Sequence, residues 1–226
     1  MNIRILGTRG EIPLSAPRHR NHSGMLVDDT ILFDLGERKF LDYDPKAIFI
    51  THLHPDHAAF VRTQFMLPHV PIYAPETTYP FLRKAKKVSM APYCITPIPT
   101  DHSRKVKSCA YLIERSGTRI LYTGDLYWMR KNYRQKLGEL DCIVTEGSFL
   151  KEGGMIRTDA AGERLGHAGI PNLIRLFKPY TKKIIFIHFG SWFFRNIRHS
   201  HTAISALGEK YGLSLVVAYD GMTLTI

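Results

Sequence analysis

One short segment, residues 51–57, constrains this chain more than any other, because its sequence is Thr-His-Leu-His-Pro-Asp-His. It contains four side chains that can bind a metal ion: His52, His54, Asp56 and His57. Imidazole nitrogens and carboxylate oxygens are the usual ligands of zinc and similar first-row metals. The apolar run Ala47–Ile50 before the segment predicts a buried strand, and residues 58–66 after it predict a helix. The sequence therefore predicts a metal site on a strand-to-helix turn.

Three further donors stand where other predicted strands or turns end. His102 follows a proline-containing turn, Asp125 follows the apolar run Ile120–Thr123, and His188 ends the run Ile184–Ile187. Side chains at the ends of rigid strands are common positions for catalytic groups. Each of these residues could alone be an ordinary loop or core residue, so their significance depends on their occurring together with the first cluster.

Short apolar runs separated by turn residues predict a protein rich in strands. Strands are predicted at residues 3–6, 25–28, 31–34, 47–51, 71–74, 110–114, 119–123, 142–146, 184–188, 213–218 and 223–226. Helices are predicted at residues 58–66, 77–86, 127–136, 170–177 and 200–211. Alternating strands and helices, together with tight hairpins at 27–31 and 115–118, favour mixed sheets with helices on their outer faces. If each half supplies one sheet, the fold class is α/β, a four-layer αββα sandwich, and residues 1–226 form a single domain.

The chain carries a formal net charge of +11, and its Lys and Arg residues occur in clusters. Positive potential of this size attracts phosphates, so an anionic, phosphate-containing substrate is favoured and nucleic acid stays open as a partner. A solvated basic face explains the same charge equally well. No apolar stretch approaches the ~20 residues that cross a bilayer, so no membrane partner is expected. Three cysteines without a C-x-x-C spacing indicate buried thiols in a reducing compartment, and a cytoplasmic location is predicted.

Taken together, these residues resemble the metallo-β-lactamase superfamily of metal-dependent hydrolases, with its H-x-H-x-D-H signature and later His, Asp and His ligands. The resemblance extends from Leu6–Pro13 through Arg20–Ser23 and Phe33–Gly36 to Ala218–Met222. The element G-T-x-G-x-x-P followed by R-N-x-S is most similar to the branch that contains tRNase Z and the cyclic-phosphate phosphodiesterases. The resemblance implies the metallo-β-lactamase fold and a hydrolytic activity.

The resemblance also implies a ligand set for two divalent metal ions. His52, His54 and His102 would bind one ion, Asp56, His57 and His188 the other, and Asp125 would bridge them. Asp34 would orient a ligand from outside the set, and Asp56 counts among the catalytic residues. Zinc is favoured, with manganese and iron as alternatives, because all three accept mixed His and Asp ligands.

Two further residues resemble a catalytic dyad of the tRNase Z pattern. Glu146 follows a predicted strand, and His167 is expected to open a helix and to donate a proton to the leaving oxygen, with Glu146 setting its tautomer. The chain departs from that pattern because only 20 residues separate the two, which leaves no room for the long arm that grips tRNA. The aromatic segment Trp192–Phe194 could line the site or pack in the core.

The favoured function is therefore a dinuclear metal-dependent phosphodiesterase that acts on a nucleotide-like or cyclic phosphate or on a short nucleic acid. A carboxylic ester, thioester or lactone hydrolase on the same fold is the alternative. A non-catalytic metal- or nucleic-acid-binding protein is a third interpretation. The oligomeric state stays open, with a homo-oligomer among the alternatives.

Overall fold

Two seven-stranded sheets dominate the computed structural model, which describes residues 1–226. The first sheet consists of β1 (Asn2–Gly7), β2 (Gly24–Val27), β3 (Ile31–Phe33), β4 (Ala47–Phe49), β5 (Ile72–Ala74), β6 (Leu82–Lys84) and β16 (Thr223–Thr225). Its strands lie in the order β16-β1-β2-β3-β4-β5-β6. The pairs from β16 to β3 are antiparallel, and those from β3 to β6 are parallel, so the sheet is mixed.

The second sheet repeats this plan. It consists of β7 (Val88–Met90), β8 (Tyr93–Thr100), β9 (Ser108–Arg115), β10 (Thr118–Tyr122), β11 (Cys142–Gly147), β14 (Lys183–Phe189) and β15 (Ser214–Val217). The order is β15-β14-β11-β10-β9-β8-β7, antiparallel from β7 to β10 and parallel from β10 to β15. A separate hairpin pairs β12 (Met155–Thr158) with β13 (Arg164–His167).

Four helices complete the fold: α1 (Lys131–Arg134), α2 (Ile170–Phe177), α3 (Ser191–Arg195) and α4 (Ile197–Tyr211). Pro171 stands at the start of α2, where its missing N–H costs no hydrogen bond, and Gly212 ends α4 at a φ of 64°. None of the four combines the length and the apolar character needed to cross a lipid bilayer.

Three apolar clusters separate the layers. The largest lies between the sheets and includes Phe33, Phe49 and Tyr111. A second packs the outer face of the second sheet against Ile174 of α2 and Ile204 of α4. The third covers the outer face of the first sheet, where 3-10 turns and loops replace regular helices. The predicted α/β sandwich of two mixed sheets is confirmed, with its helices concentrated on one side.

Two predicted helices are wrong. Residues 58–66 contain only a 3-10 turn at Ala59–Val61, because the Ala59 N–H donates to the Leu35 carbonyl and extends the first sheet instead. Residues 77–86 contain β6 rather than a helix, and Pro80 lies in this stretch, where it would break a helix. The helix predicted at 127–136 shortens to α1, and the helix predicted at 200–211 begins earlier, at Ile197.

Five strands were not anticipated: β6, β7, β8, β12 and β13. In β8, Pro97 and Pro99 interrupt the residue pattern that predicts a strand. Both prolines pair with β9 only, because β7 pairs with β8 only at Tyr93–Ile95. Proline is tolerated there because that part of β8 is a sheet edge. His19 is buried at 5 % exposure against Phe193, and Thr8 Oγ1 lies 2.9 Å from its Nδ1.

Candidate metal centre

The carboxyl ends of the parallel strands in both sheets carry all the predicted donors except His102, which follows the antiparallel strand β8. Asp34 follows β3, residues 51–57 follow β4, Asp125 follows β10 and His188 lies near the end of β14. In open α/β sheets, this edge is where ligands bind. The amide N–H groups of His57 and Ala58 both donate to the His54 carbonyl, which folds the motif into a tight turn.

The first donor group brings together His52, His54 and His102. His54 Nδ1 lies 3.0 Å from His52 Nε2 and 3.2 Å from His102 Nε2. His52 and His102 are buried, and His54 is half-buried. Three imidazole nitrogens therefore converge on one point.

The second donor group brings together Asp56, His57, Asp125 and His188. His57 Nε2 lies 3.1 Å from His188 Nδ1, and His188 Nε2 lies 3.5 Å from Asp56 Oδ2. All four residues are buried. In each of the two groups, the ligand atoms lie within 4.8 Å of one another.

Asp125 lies between the groups. Its Oδ1 is 2.8 Å from His188 Nδ1 and 3.3 Å from His57 Nε2, on the side of the second group. Its Oδ2 is 3.8 Å from His52 Nε2 and 3.9 Å from His102 Nε2, on the side of the first group. Each carboxylate oxygen therefore faces a different set of imidazoles.

The donor set fits divalent cations. Asp125 Oδ1 is buried and accepts no hydrogen bond, although imidazole nitrogens surround it. A buried carboxylate oxygen without a partner is costly, and a shared cation would satisfy both it and the converging nitrogen lone pairs. Mixed imidazole and carboxylate donors suit zinc, manganese or iron.

Asp34 orients one of these donors from behind. It is fully buried, and its Oδ2 accepts from His57 Nδ1 at 2.7 Å, which leaves Nε2 of that ring facing the centre. The Tyr122 hydroxyl donates to the same oxygen at 3.0 Å, and the Thr51 N–H donates to Oδ1 at 2.7 Å. Carboxylate–histidine contacts of this kind fix the tautomer of metal ligands.

Sequence reasoning missed several supporting residues. Thr51 Oγ1 lies 3.1 Å from His52 Nδ1, Ser23 Oγ lies 3.3 Å from His188 Nδ1, and the Gly166 carbonyl accepts from His102 Nδ1 at 3.0 Å. The position of Thr51 directly before the first histidine was a usable signal. The partners of His102 and His188 are distant in sequence, so no local pattern indicated them.

Burial and neighbouring charges set the protonation of the cluster. Burial, together with the neighbouring imidazoles, holds the pKa of His52 well below its usual range. Burial lowers the pKa of His102 to about 4. Burial alone would lower the pKa of His57, but the carboxylates of Asp125, Asp34 and Asp56 raise it well above normal. His52 and His102 therefore favour the neutral form, which is the form that binds metals.

Glu146 and His167 meet beside this cluster. Glu146 Oε2 accepts from His167 Nδ1 at 2.7 Å, while its Oε1 accepts from the Leu126 N–H at 2.7 Å. Burial opposes protonation, but the Glu146 carboxylate outweighs it and raises the pKa of His167 to about 9. His167 ends strand β13 rather than opening a helix, since α2 begins three residues later at Ile170. Its Nδ1 also lies 3.9 Å from Asp125 Oδ2.

A cavity of about 800 Å³ opens onto the cluster. Two cations, Lys151 and Arg195, line it together with Trp192. The Trp192 indole donates to the Gly147 carbonyl at 2.9 Å, which fixes the ring at the wall. Phe193 is fully buried in the core, so the aromatic segment divides between the two predicted roles.

Comparison with known proteins shows the family of this chain. A family model described as a beta-lactamase superfamily domain matches residues 37–189. The chain belongs to the beta-lactamase superfamily. No curated protein of similar sequence matches it.

Solved structures of the metallo-β-lactamase fold resemble this superfamily member along its whole length. YhfI from Bacillus subtilis has a TM-score of 0.73 at 16 % identity, covering 99 % of this chain and 98 % of its own. The short form of human tRNase Z, ELAC1, has a TM-score of 0.67 at 18 % identity, and the match covers 100 % of this chain and 99 % of the ELAC1 chain. A diphosphatase of the PhnP family has a TM-score of 0.69 at 15 % identity, and the match covers 100 % of this chain and 97 % of the diphosphatase chain. The predicted resemblance to the metallo-β-lactamase superfamily is confirmed, and at these identities the neighbours establish the shared fold.

Proposed function

We propose that this protein is a dinuclear metal-dependent phosphodiesterase whose single domain spans residues 1–226. Its substrate would be a nucleotide-like or cyclic phosphate or a short nucleic acid. The position of Asp125 carries the proposal, because its two oxygens face two separate donor groups, at 2.8 Å from His188 Nδ1 and 3.8 Å from His52 Nε2. A carboxylate between two imidazole sets suits a pair of ions, for which zinc is the first choice and manganese or iron the alternatives.

In this proposal His52, His54 and His102 would hold one ion, Asp56, His57 and His188 would hold the second, and Asp125 would serve both. Such ions, when bound, lower the pKa of water and neutralise the negative charge that develops on the reacting group. Asp34 keeps the His57 ring in place through the 2.7 Å contact with its Nδ1. The protein's own contribution at this point is a rigid, buried ligand set.

His167 is the proposed proton donor. Glu146 engages its Nδ1 at 2.7 Å, which leaves Nε2 as the nitrogen available to a substrate in the cavity. The raised pKa of His167, about 9, favours the protonated form that can donate to a leaving oxygen near neutral pH. A general acid is needed most when the leaving group is a poor one, such as an alkoxide.

Charge favours a phosphodiester over a neutral carboxylic ester as the substrate. Lys151 and Arg195 line the cavity that contains the metal centre, and the whole chain carries a net charge of +11. Glu11, the one acidic residue of the cavity outside the donor groups, is paired with Arg62 at 2.8 Å. Cationic clefts concentrate anionic substrates and accelerate their encounter with the site. The names of two structural neighbours, a tRNase Z and a PhnP-family diphosphatase, also indicate phosphate or nucleic-acid substrates on this fold.

The first test compares three substrates: a bis-aryl phosphodiester, an aryl carboxylic ester and an acyl thioester. We expect the metal-loaded protein to turn over the phosphodiester with the highest kcat/KM. We expect His54→Ala to lose bound metal and all turnover, with metal content measured by elemental analysis. His69→Ala is the control, because His69 is an exposed histidine outside the donor groups. Turnover of the ester alone would overturn the proposal.

The second test examines the dyad through the leaving group. His167→Ala should keep its metal and most of its rate on the bis-aryl substrate, whose leaving group needs little protonation. On an alkyl phosphodiester the rate should fall by about 10²- to 10⁴-fold, the usual contribution of a general acid. Glu146→Gln should give a smaller loss in the same direction. An equal loss on both substrates would instead place His167 among the metal ligands, where its 3.9 Å distance from Asp125 Oδ2 would allow it.

A further inference from the structure

A second cavity, of about 560 Å³, lies outside the metal centre, beside helix α1 and the β12–β13 hairpin. Its walls combine aromatic, cationic and aliphatic side chains, among them Tyr127, Trp128, Arg134, Ile156, Arg164 and Arg175. No Asp or Glu lines it. We call this cavity, defined by these residues, the Trp128 groove.

Trp128 is a fixed platform in this groove. Its indole is 45 % exposed, although the Arg134 guanidinium lies 4.9 Å from the ring centroid. Its backbone is held on both sides, since the Asp101 N–H donates to the Trp128 carbonyl at 2.9 Å and the Trp128 N–H donates to the Asp101 carbonyl at 3.3 Å. An exposed aromatic ring on a rigid backbone offers a stacking surface that loses little entropy when a ligand binds.

The cations of the groove are available to an anion. Arg134 Nε is buried out of reach of a ligand and has no hydrogen-bond partner, whereas the terminal nitrogens of this half-buried side chain form no hydrogen bond or ion pair within the protein. Arg175 shares its charge with Glu152 at 2.7 Å, but that carboxylate does not line the cavity. A guanidinium with unused donors beside an aromatic ring is suited to a phosphate and a planar base at the same time.

The groove connects with the metal centre. Tyr127 and Arg164 also line a neighbouring cavity of about 450 Å³, whose wall includes the donor His102. That cavity adds Lys84, Arg104 and Lys107, which outnumber its two acidic residues, Asp101 and Glu163. The segment that carries Trp128 begins three residues earlier at Asp125, so one short loop serves both sites. The two cavities therefore share a wall at Tyr127 and Arg164, and a flexible polyanion long enough to pass this wall would contact both.

We propose that the Trp128 groove binds one nucleotide of a single-stranded nucleic acid, with its base stacked on Trp128 and its phosphate held by Arg134. That the same strand is cleaved at the metal centre rests on the proposed function. Binding in the groove does not rest on it, because no metal ligand lines that cavity. Aromatic stacking and arginine contacts are the usual means by which proteins hold single strands without reading their sequence.

The test measures binding of a phosphorothioate single strand of about 10 nucleotides, a length within the usual site size of such proteins. We expect Trp128→Ala to weaken binding about tenfold and Trp128→Phe to restore most of it, since stacking requires only an aromatic face. We expect Arg134→Gln to weaken binding and to reduce the slope of log K against log salt by about 1.

The chain contains a matched control pair. Tyr43 is 39 % exposed with the Arg4 guanidinium 5.3 Å from its ring, and Arg4 Nε is likewise buried without a partner. Arg4, however, pairs with Asp29 at 3.2 Å. Tyr43→Ala and Arg4→Gln should therefore leave oligonucleotide binding unchanged. If these two variants lose as much oligonucleotide affinity as the Trp128 and Arg134 variants, the proposal is overturned.

Two competitors decide the class of ligand. Acidic poly-glutamate should compete poorly with the oligonucleotide. If poly-glutamate competes as well as an unlabelled oligonucleotide, the groove is a general anion site and the proposal is overturned. Adenosine monophosphate should bind more weakly than the strand, and equal affinity would overturn the assignment to a strand. Turnover of the bis-aryl phosphodiester by the unmodified protein tests the proposed function separately, because that substrate is too small to span both cavities.

Discussion

Gly10 is the residue at which the amino-terminal segment meets the metal centre. Its N–H donates to the Phe189 carbonyl at 3.1 Å, and a Cβ at this position would lie 2.7 Å from both Nε2 and Cδ2 of His188. Real Cβ atoms essentially never come so close to another heavy atom. The imidazole can therefore reach its position in the second donor group only because residue 10 has no side chain.

We expect Gly10→Ala to displace the His188 ring and to lower metal affinity about 10- to 100-fold, the usual cost of disturbing the surroundings of a ligand. Metal titration with a competing chelator measures this change. Gly117→Ala is the contrast, because Gly117 has a φ of 88° and a Cβ added there would meet no other atom within 4 Å. That variant should lose stability through backbone strain and keep its metal affinity. If both variants bind metal normally, the close approach at Gly10 has no functional role.

Asp34 offers a second test at the scale of one residue. It adopts a φ of 57°, a left-handed conformation that Asn tolerates well, so Asp34→Asn changes the charge with little backbone strain. The substitution removes the carboxylate that accepts from His57 Nδ1 at 2.7 Å. We expect metal affinity to fall about 10- to 100-fold, in the range found when an orienting carboxylate is lost. Tyr122→Phe, which removes one 3.0 Å hydrogen bond to the same carboxylate, should have a smaller effect.

At the scale of elements, the sequence predicted strands better than helices. The strands with continuous apolar runs, such as β4 and β14, lie where the pattern placed them. The helices predicted at 58–66 and 77–86 are wrong because tertiary contacts outweigh the local helix preference. Ala59 extends the first sheet through its hydrogen bond to Leu35, and β6 pairs with β5. Strand β8 was missed because its prolines are allowed only by its place at a sheet edge, which depends on the whole topology.

The turn between β2 and β3 joins the two sheets through Asp28. Its carboxylate accepts from the Asn2 N–H at 2.8 Å, from the Tyr93 hydroxyl of β8 at 2.9 Å and from Arg115 of β9 at 2.6 Å. Burial alone would raise the pKa of Asp28, but these hydrogen bonds and the Arg115 charge lower it below its usual value. One side chain thus connects three strands at the end of the sandwich.

We expect Asp28→Asn to reduce the free energy of unfolding at pH 7 by about 2 kcal/mol, as charged hydrogen bonds usually contribute. Because the folded-state pKa lies below the unfolded one, this contribution is present above about pH 4 and is lost as the pH falls through the folded-state value. The difference in the free energy of unfolding between this variant and the unmodified protein should therefore be smaller in acid than at pH 7. Urea unfolding at pH 7 and at a pH below the folded-state pKa of Asp28 measures this change. Asp29→Asn, at a side chain 66 % exposed, should change little at either pH.

At the scale of the whole molecule, the sequence indicated candidate donors but not the surfaces around them. The seven candidate ligands were predictable because ligand chemistry limits the residue types, and the structure brings all seven into two adjacent groups. The Trp128 groove was not predictable, because Trp128, Ile156 and Arg175 come from three distant parts of the chain. Local patterns indicate what a residue can do, whereas the sheet topology decides which residues meet.

Metal binding should also contribute to the stability of the whole molecule. Three carboxylates, those of Asp34, Asp56 and Asp125, are buried at 3 % exposure or less beside the imidazoles of the centre. Burial alone would raise the pKa of Asp125, yet the charges of His188 and His57 hold it well below its usual range. Without an ion, the buried charge of Asp125 is balanced by neighbouring imidazoles, and buried charge is costly.

We expect removal of metal by a chelator to lower Tm and readdition of zinc to restore it in a concentration-dependent way. An ion that binds only the folded state adds RT ln(1 + [L]/Kd), or about 2.7 kcal/mol at a hundredfold excess over Kd. His54→Ala, which lacks one donor of the first group, should start from a lower Tm in zinc and respond less to the chelator. His69→Ala should respond as fully as the unmodified protein. A Tm that does not move with chelator or zinc would mean that the folded centre binds no ion, because any ion that binds only the folded state must raise Tm.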